Sequence, residues 1–93
     1  MFTGQKETIR LKIRPIIREY LLRKFPSATL ISSNEEWETF EIIVLGTEGI
    51  LFWILSQKAD VEVLSPQYFR EKLKVTIQSM AQLYQLDSNA PML

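Results

Sequence analysis

Residues 9–14 alternate strictly between apolar and basic side chains, in the order Ile-Arg-Leu-Lys-Ile-Arg. Because successive side chains of a β-strand point to opposite faces, a period of two buries one set and exposes the other. The segment therefore predicts a strand with an apolar face on a core and a basic face toward solvent. Such a strand also requires partner strands, since its buried backbone groups need hydrogen bonds.

The next segment changes to a helical period. Pro15 suits the first turn of a helix, where its missing N–H costs nothing. Ile17, Leu21 and Phe25 then recur every four residues, which places them on one helical face. The spacing predicts a first helix that ends before Pro26, because the residue preceding a proline avoids helical geometry.

Two extended segments, residues 28–33 and 37–45, follow on either side of a short polar connection. The connection, residues 34–36, has the length of a hairpin turn. In the second segment the apolar side chains at alternate positions share one face, and they are Phe40, Ile42 and Val44. These segments predict a β-hairpin.

Gly46 interrupts this strand, and the hydroxyl of Thr47 can cap a second helix over residues 48–57. This helix is apolar nearly all round, so we expect one side to pack on the sheet and the other to contact something else. Residues 60–64 predict a short last strand with Val61 and Val63 inward.

A third helix is predicted after Ser65 and Pro66, which offer an N-cap hydroxyl and a proline for the first turn. Apolar residues recur at spacings of three and four over about five turns, and they are Phe69, Leu73, Ile77, Met80 and Tyr84. This stripe needs cover, because an amphipathic helix gains little stability while its apolar face is bare. Its own sheet, a second copy and another domain are all open as the covering surface.

The order of elements is strand, helix, strand, strand, helix, strand, with one further helix. It predicts an α+β fold, a ferredoxin-like βαββαβ sandwich with an additional C-terminal helix. The inward set of the sheet is predicted to be Ile9, Leu11, Ile13, Phe40, Ile42, Val44, Val61 and Val63. We expect one domain over residues 7–86, since 93 residues support one core. Residues 1–6 and 87–93 are predicted to be an N-terminal tail and a flexible C-terminal tail.

The sheet face away from the helices is predicted to carry Arg10, Lys12, Arg14, Thr29, Ile31, Trp37, Thr39, Glu41, Ile43 and Glu62. On this open sheet face, Arg10, Lys12, Arg14 and Trp37 are candidates for contact with phosphate or another ligand. The alternative is that the cations are solvated and neutralised by acidic neighbours, with Trp37 covered by the third helix. The charge distribution favours the alternative. Residues 1–25 carry seven Lys/Arg and two Asp/Glu, whereas residues 26–64 carry one Lys/Arg and seven Asp/Glu. The net charge of the whole chain is zero.

Catalysis is not expected, and no catalytic residue is assigned. The chain has no Cys and no His, and it lacks a glycine-rich phosphate loop. We therefore expect no cofactor and no metal. The longest apolar run, residues 50–55, is far shorter than the roughly 20 residues that cross a bilayer. Without a membrane segment or a secretory signal, a cytoplasmic location is expected.

The second half of the chain contains an ordered series of motifs. Glu48 and Trp53 lie in the apolar helix, Lys58-Ala59-Asp60 forms the following turn, and a Val-Glu-Val-Leu strand, Ser65-Pro66 and Phe69-Arg70-Glu71 precede the final helix. Together, residues 8–84 resemble the C-terminal extension that follows the WYL domain in bacterial transcriptional regulators. Three positions depart from the family habit: Lys58 replaces glycine, Ser65 replaces an acid and Phe69 replaces leucine.

The resemblance implies a parent protein with an N-terminal helix-turn-helix that binds DNA and a central WYL domain that senses a ligand or nucleic acid. It also implies that the extension supports homodimer contacts and helps to frame the effector site. The leading hypothesis is therefore a regulatory and dimerisation domain that uses the third helix. The alternative is a small-ligand or single-stranded nucleic-acid binding module that uses the open sheet face.

Overall fold

The computed structural model describes residues 5–85. Its elements are, in chain order, β1 (Lys6–Ile13), α1 (Arg18–Lys24), β2 (Thr29–Ser33), β3 (Glu38–Leu45), α2 (Glu48–Ser56), β4 (Val61–Ser65) and α3 (Gln67–Leu83). Short 3-10 turns, Pro15–Ile17 and Lys58–Asp60, lead into α1 and β4. The predicted C-terminal tail and most of the predicted N-terminal tail lie outside the described residues.

The four strands form one antiparallel sheet in the order β2-β3-β1-β4. The α+β class, the four-stranded sheet and the three helices of the prediction are confirmed. β1 begins at Lys6, inside the segment predicted as a tail, and Lys6 lies opposite Leu45 of β3. The apolar alternation did not reveal these first residues, because they pair through the backbone and are not fully buried.

The predicted inward set forms the centre of the core. Six of its eight members are buried, and Val44 and Val61 are half-buried against them. The helices add Ile17, Leu21, Ile50, Ile54, Phe69 and Leu73. Each such side chain contributes about 1.5–3 kcal/mol when it is fully removed from water. In α2, however, Phe52 is 73% exposed, so this helix has an uncovered side.

An ion pair joins α1 to the core side of β3. Glu38 is buried because it shares the inward face of β3 with Phe40. Arg18 Nε donates to Glu38 Oε1 at 2.8 Å, and Arg18 Nη2 donates to the other carboxylate oxygen. The hydrogen bonds from Arg18, assisted by its charge and opposed by burial, hold the pKa of Glu38 below its ordinary value. Sequence reasoning missed this pair, since its members lie on different elements.

Both predicted hydroxyl caps are wrong. Thr47 is the N-cap of α2 but makes no side-chain hydrogen bond to the helix, since its backbone (φ −113°, ψ −2°) is not in the extended conformation typical of an N-cap. In α3 the N-cap is Pro66 rather than Ser65. Ser65 is still part of β4, where it lies opposite Arg10 of β1.

Two residues with positive φ angles end neighbouring elements. Gly46, after β3, has φ 75°, and Lys58, two residues after the end of α2, has φ 62°. The left-handed conformation is free of steric cost for glycine, but it costs other L-residues roughly 1–2 kcal/mol. Lys58 therefore occupies a position that suits a glycine helix stop. This agrees with the glycine that the resembled family usually has at this position.

Glu38 should make stability depend on acid pH. Because the folded state lowers the pKa of Glu38, its stabilisation is complete above the ordinary carboxyl value of about 4.3 and is lost as the pH falls through the folded value. We expect the free energy of unfolding to fall more steeply below pH 5 in the wild type than in Glu38→Gln, as measured by urea unfolding. Glu35→Gln, in the hairpin turn, is the control, and its stability should vary with pH as that of the wild type does. If the stability of Glu38→Gln also varied with pH in parallel with the wild type, the prediction would be contradicted.

Replacing Lys58 by glycine should stabilise the domain. Glycine relieves the left-handed strain, which stabilises the folded state, but it also gives the unfolded chain more freedom, which opposes folding. The net gain in the free energy of unfolding is about 0.5–1 kcal/mol. Urea unfolding measures the gain directly. Lys58→Ala is the matched control, because alanine shares the steric cost of lysine and should give no such gain. Equal stability of the glycine and alanine variants would show that the strain is not significant.

Candidate functional site

The open sheet face carries a basic row along β1, and its strand register gives that row acidic partners. Arg10 lies opposite Glu41 of β3, and Lys12 lies opposite Glu62 of β4. Arg10 Nη2 is 2.8 Å from Glu41 Oε2, and Lys12 Nζ is 3.4 Å from Glu62 Oε1. Two of the three candidate phosphate-binding cations are therefore paired with carboxylates across the sheet.

Glu62 also connects this face to α3. Arg70 Nη1 donates to Glu62 Oε2 at 2.8 Å and to the carbonyl oxygen of Val63 at 2.6 Å. The hydrogen bond from Arg70 is the main cause that lowers the pKa of Glu62, with a smaller effect of Lys12, and burial opposes both. The carboxylate thus remains ionised between two cations at neutral pH.

Trp37 lies just before β3 and is half-buried. We expected the third helix to cover it, but the structure instead places two cations over its ring. The guanidinium carbon of Arg14 is 3.9 Å from the ring centroid, and Lys12 Nζ is 4.6 Å from it. These distances are typical of cation–π contacts. Three of the four candidate residues of the open sheet face, Lys12, Arg14 and Trp37, are brought together, and Arg10 on the same strand face pairs with Glu41.

The five candidate interaction residues of α3 fall into two groups. Phe69 and Leu73 are buried in the domain core, whereas Ile77 is 54%, Met80 45% and Tyr84 75% exposed. The first half of α3 is further held by polar contacts: Tyr68 donates to Glu7, Arg70 binds Glu62, and Lys72 Nζ is 3.1 Å from Glu48 Oε2. The second half leaves the core with its apolar stripe uncovered by residues 5–85.

A groove of about 470 Å³ runs beside this uncovered stripe. Its apolar lining includes Leu55 at the end of α2, Val61 at the start of β4, and Ile77 and Met80 of α3. Charged residues line it as well, and they are Lys58, Glu62, Arg70 and Lys74. The groove continues the apolar surface of α3 toward the sheet. A second helix or an apolar segment could therefore contact both at once.

Sequence reasoning missed a second concave site, the cleft between α1 and the end of α2. Tyr20, Arg23, Lys24, Trp53 and Lys58 are among the residues that line it. No sequence signal joined them, because α1 and the turn after α2 are more than 30 residues apart and share no periodic pattern.

Within residues 5–85, no group of three or more Asp or Glu side chains is arranged to hold a metal ion. None of the helices described there has the length and apolar character needed to span a membrane.

The stacking of Arg14 on Trp37 should be measurable as an energetic coupling. In a double-mutant cycle with Arg14→Met and Trp37→Leu, urea unfolding should give a coupling of about 0.5–1 kcal/mol. The matched cycle uses Arg10→Met, because Arg10 lies on the same strand face but pairs with Glu41. That cycle should give a coupling near zero, and equal coupling in both cycles would refute a specific Arg14–Trp37 contact.

Comparison with known proteins identifies the family of this chain. A search of curated proteins found no match. The family model of the WCX domain matches residues 5–81, which extend from the start of β1 almost to the end of α3. The chain therefore belongs to the WCX family, the C-terminal domain of WYL-domain transcriptional regulators.

Proposed function

We propose that this WCX domain is a dimerisation and regulatory element of a WYL-type bacterial transcriptional regulator, and that the second half of α3 contacts a second copy of the chain. In this role the helix-turn-helix and WYL domains of the parent chain bind DNA and the effector. The WCX domain supports the effector response by joining two subunits. It acts without catalysis, in the cytoplasm where the parent protein meets DNA.

One observation carries this proposal: the apolar face of α3 continues from the core into solvent. Leu73 is 6% exposed, and the next residues on the same face, Ile77, Met80 and Tyr84, are 45–75% exposed. Their spacing of four, three and four keeps them in one line along the helix. Exposed apolar lines of this kind are a common feature of protein interfaces.

The charges of α3 support a second copy as the occupant of this face. Residues 67–74 contain four charged side chains, whereas residues 75–84 contain none. An interface between identical chains around a twofold axis brings the same surface of both copies together. An uncharged apolar surface suits this symmetry, because it meets itself without repulsion between like charges.

We also propose that the fold is of the ferredoxin-like type. The element order βαββαβ and the sheet order β2-β3-β1-β4 support it, since β1 and β3 lie side by side at the centre and β2 and β4 form the edges. α3 is then an addition at the β4 edge. It is available for assembly without disturbing the sheet.

The alternative function, binding of a small ligand or single-stranded nucleic acid by the open sheet face, stays a prediction. The contacts on that face favour the dimerisation role. Arg10 and Lys12 have carboxylate partners, and Arg14 and Lys12 lie over Trp37. A nucleic acid would have to displace these contacts before a phosphate could bind or a base could stack on the covered side of the ring.

Substitution on the exposed stripe should weaken the dimer. Met80→Glu places a charge in the apolar contact, so we expect dimer affinity to fall at least about tenfold. Sedimentation equilibrium of the 93-residue chain and its variants measures the change. Gln82→Glu adds the same charge on the opposite side of the helix and should leave the dimer intact.

Two outcomes would contradict the proposal. One is a wild-type chain that stays monomeric at all concentrations up to about 1 mM. The other is an equal loss of affinity in Met80→Glu and Gln82→Glu. Circular dichroism of both variants separates loss of the interface from loss of the fold.

A further inference from the structure

The cleft between α1 and the end of α2 is an open depression on the surface. Its volume is about 590 Å³, within the range of about 300–1,000 Å³ that is typical of ligand pockets. One wall comes from α1, with Tyr20, Arg23 and Lys24, and the other from α2 and the turn that follows, with Trp53 and Lys58. None of these residues belongs to the open sheet face, and only Lys58 also lines the groove beside the uncovered stripe of α3.

The charges of the cleft differ from those of the rest of the domain. Of the 11 Lys and Arg residues, six form ion pairs within residues 5–85, and they are Arg10, Lys12, Arg18, Arg70, Lys72 and Lys74. Arg23, Lys24 and Lys58 form no ion pair with any other residue in 5–85, and all three line the cleft. Asp60 also lines it, so the wall carries a net of two positive charges.

An aromatic ring with a fixed orientation lies beside these cations. Trp53 is half-buried, and its ring makes a T-shaped contact with the ring of Phe25, with centroids 5.5 Å apart and an interplanar angle of 86°. Tyr20, on α1, is 55% exposed at the same cleft. The site therefore offers flat apolar surfaces next to unpaired cations, an arrangement that suits a planar ring with an attached anion.

The backbone at Lys58 points to a use for its side chain. Its φ of 62° is a conformation in which glycine would be free of strain. Strained backbone positions of this kind cluster at functional sites. Lys58 lines the cleft with its charge unpaired among the described residues, so its side chain is a candidate ligand contact.

We propose that this cleft binds a small aromatic phosphate ester. The phosphate contacts Arg23, Lys24 and Lys58, and the aromatic ring lies against Trp53 and Tyr20. A phosphate monoester carries about −1.5 to −2 charges at pH 7, which matches the net charge of the wall. Arg23 can bind two phosphate oxygens with its planar guanidinium, and the lysines add point charges. This ligand site goes beyond the dimerisation role, and among its assigned residues Lys58 alone also lines the groove beside the α3 stripe.

Phenyl phosphate is a suitable probe for this cleft, and NMR titration of the ¹⁵N-labelled 93-residue chain detects its binding. We expect saturable shifts of the Trp53 indole N–H and of the Gln57 and Lys58 amides. Phenol lacks the anion and inorganic phosphate lacks the ring, so each should bind at least about tenfold more weakly. Shifts centred on Trp37, or no saturable shift up to about 10 mM phenyl phosphate, would overturn the proposal.

Lys58→Gly separates binding from folding. Glycine suits the backbone at this position, so the variant should remain folded while its affinity for phenyl phosphate falls at least about fivefold. Lys6→Ala removes a lysine that is also without an ion pair in 5–85 but does not line the cleft, and its affinity should equal that of the wild type. Equal losses in both variants would indicate attraction by overall charge, and unchanged affinity in Lys58→Gly would refute the assigned site.

Discussion

The pairing of β1 with β3 on one side and β4 on the other determines where most other groups of the domain lie. Ile9, Leu11 and Ile13 have no exposed surface, because β1 is the strand that both neighbours and the helices cover. Once these three residues are inward, the side chains between them must be outward. A shift of one residue would move Arg10 and Lys12 into the core, so the register is strongly specified.

This register also explains how an uneven charge distribution along the chain becomes balanced in space. Two cations from the basic first segment, Arg10 and Lys12, meet acids of the acidic middle segment across the sheet, and Arg18 of α1 meets a third acid of that segment. Antiparallel pairing brings distant parts of the chain side by side, so charges far apart in sequence become neighbours. The cations that this pairing leaves without partners in 5–85 include the three that line the cleft between α1 and α2.

The two halves of α3 have different relations to the domain. Phe69 and Leu73 belong to the core, and the polar contacts of Tyr68, Arg70 and Lys72 bind the same half to β1, β4 and α2. Ile77, Met80 and Tyr84 continue the same face without cover from residues 5–85. A WCX domain with this helix presents an apolar surface on an anchored element, so a partner can bind without further ordering of the domain.

The sequence by itself determined the elements and the inward face of the sheet. Alternation at residues 9–14 and four-residue spacing in α1 report burial directly, since each period matches one backbone geometry. The family was also readable, because its motifs are contiguous. Helix capping was not, since Thr47 stands at the N-cap without a side-chain hydrogen bond to the helix, and Ser65 still belongs to β4.

Only the tertiary structure decided which charges are paired and what lies over Trp37. It also decided at which point along α3 the apolar face leaves the core, and which residues meet at the cleft. The physical reason is the same in each case. A periodic pattern reports the surroundings of one element, whereas ion pairs, stacked rings and clefts depend on the distance between elements.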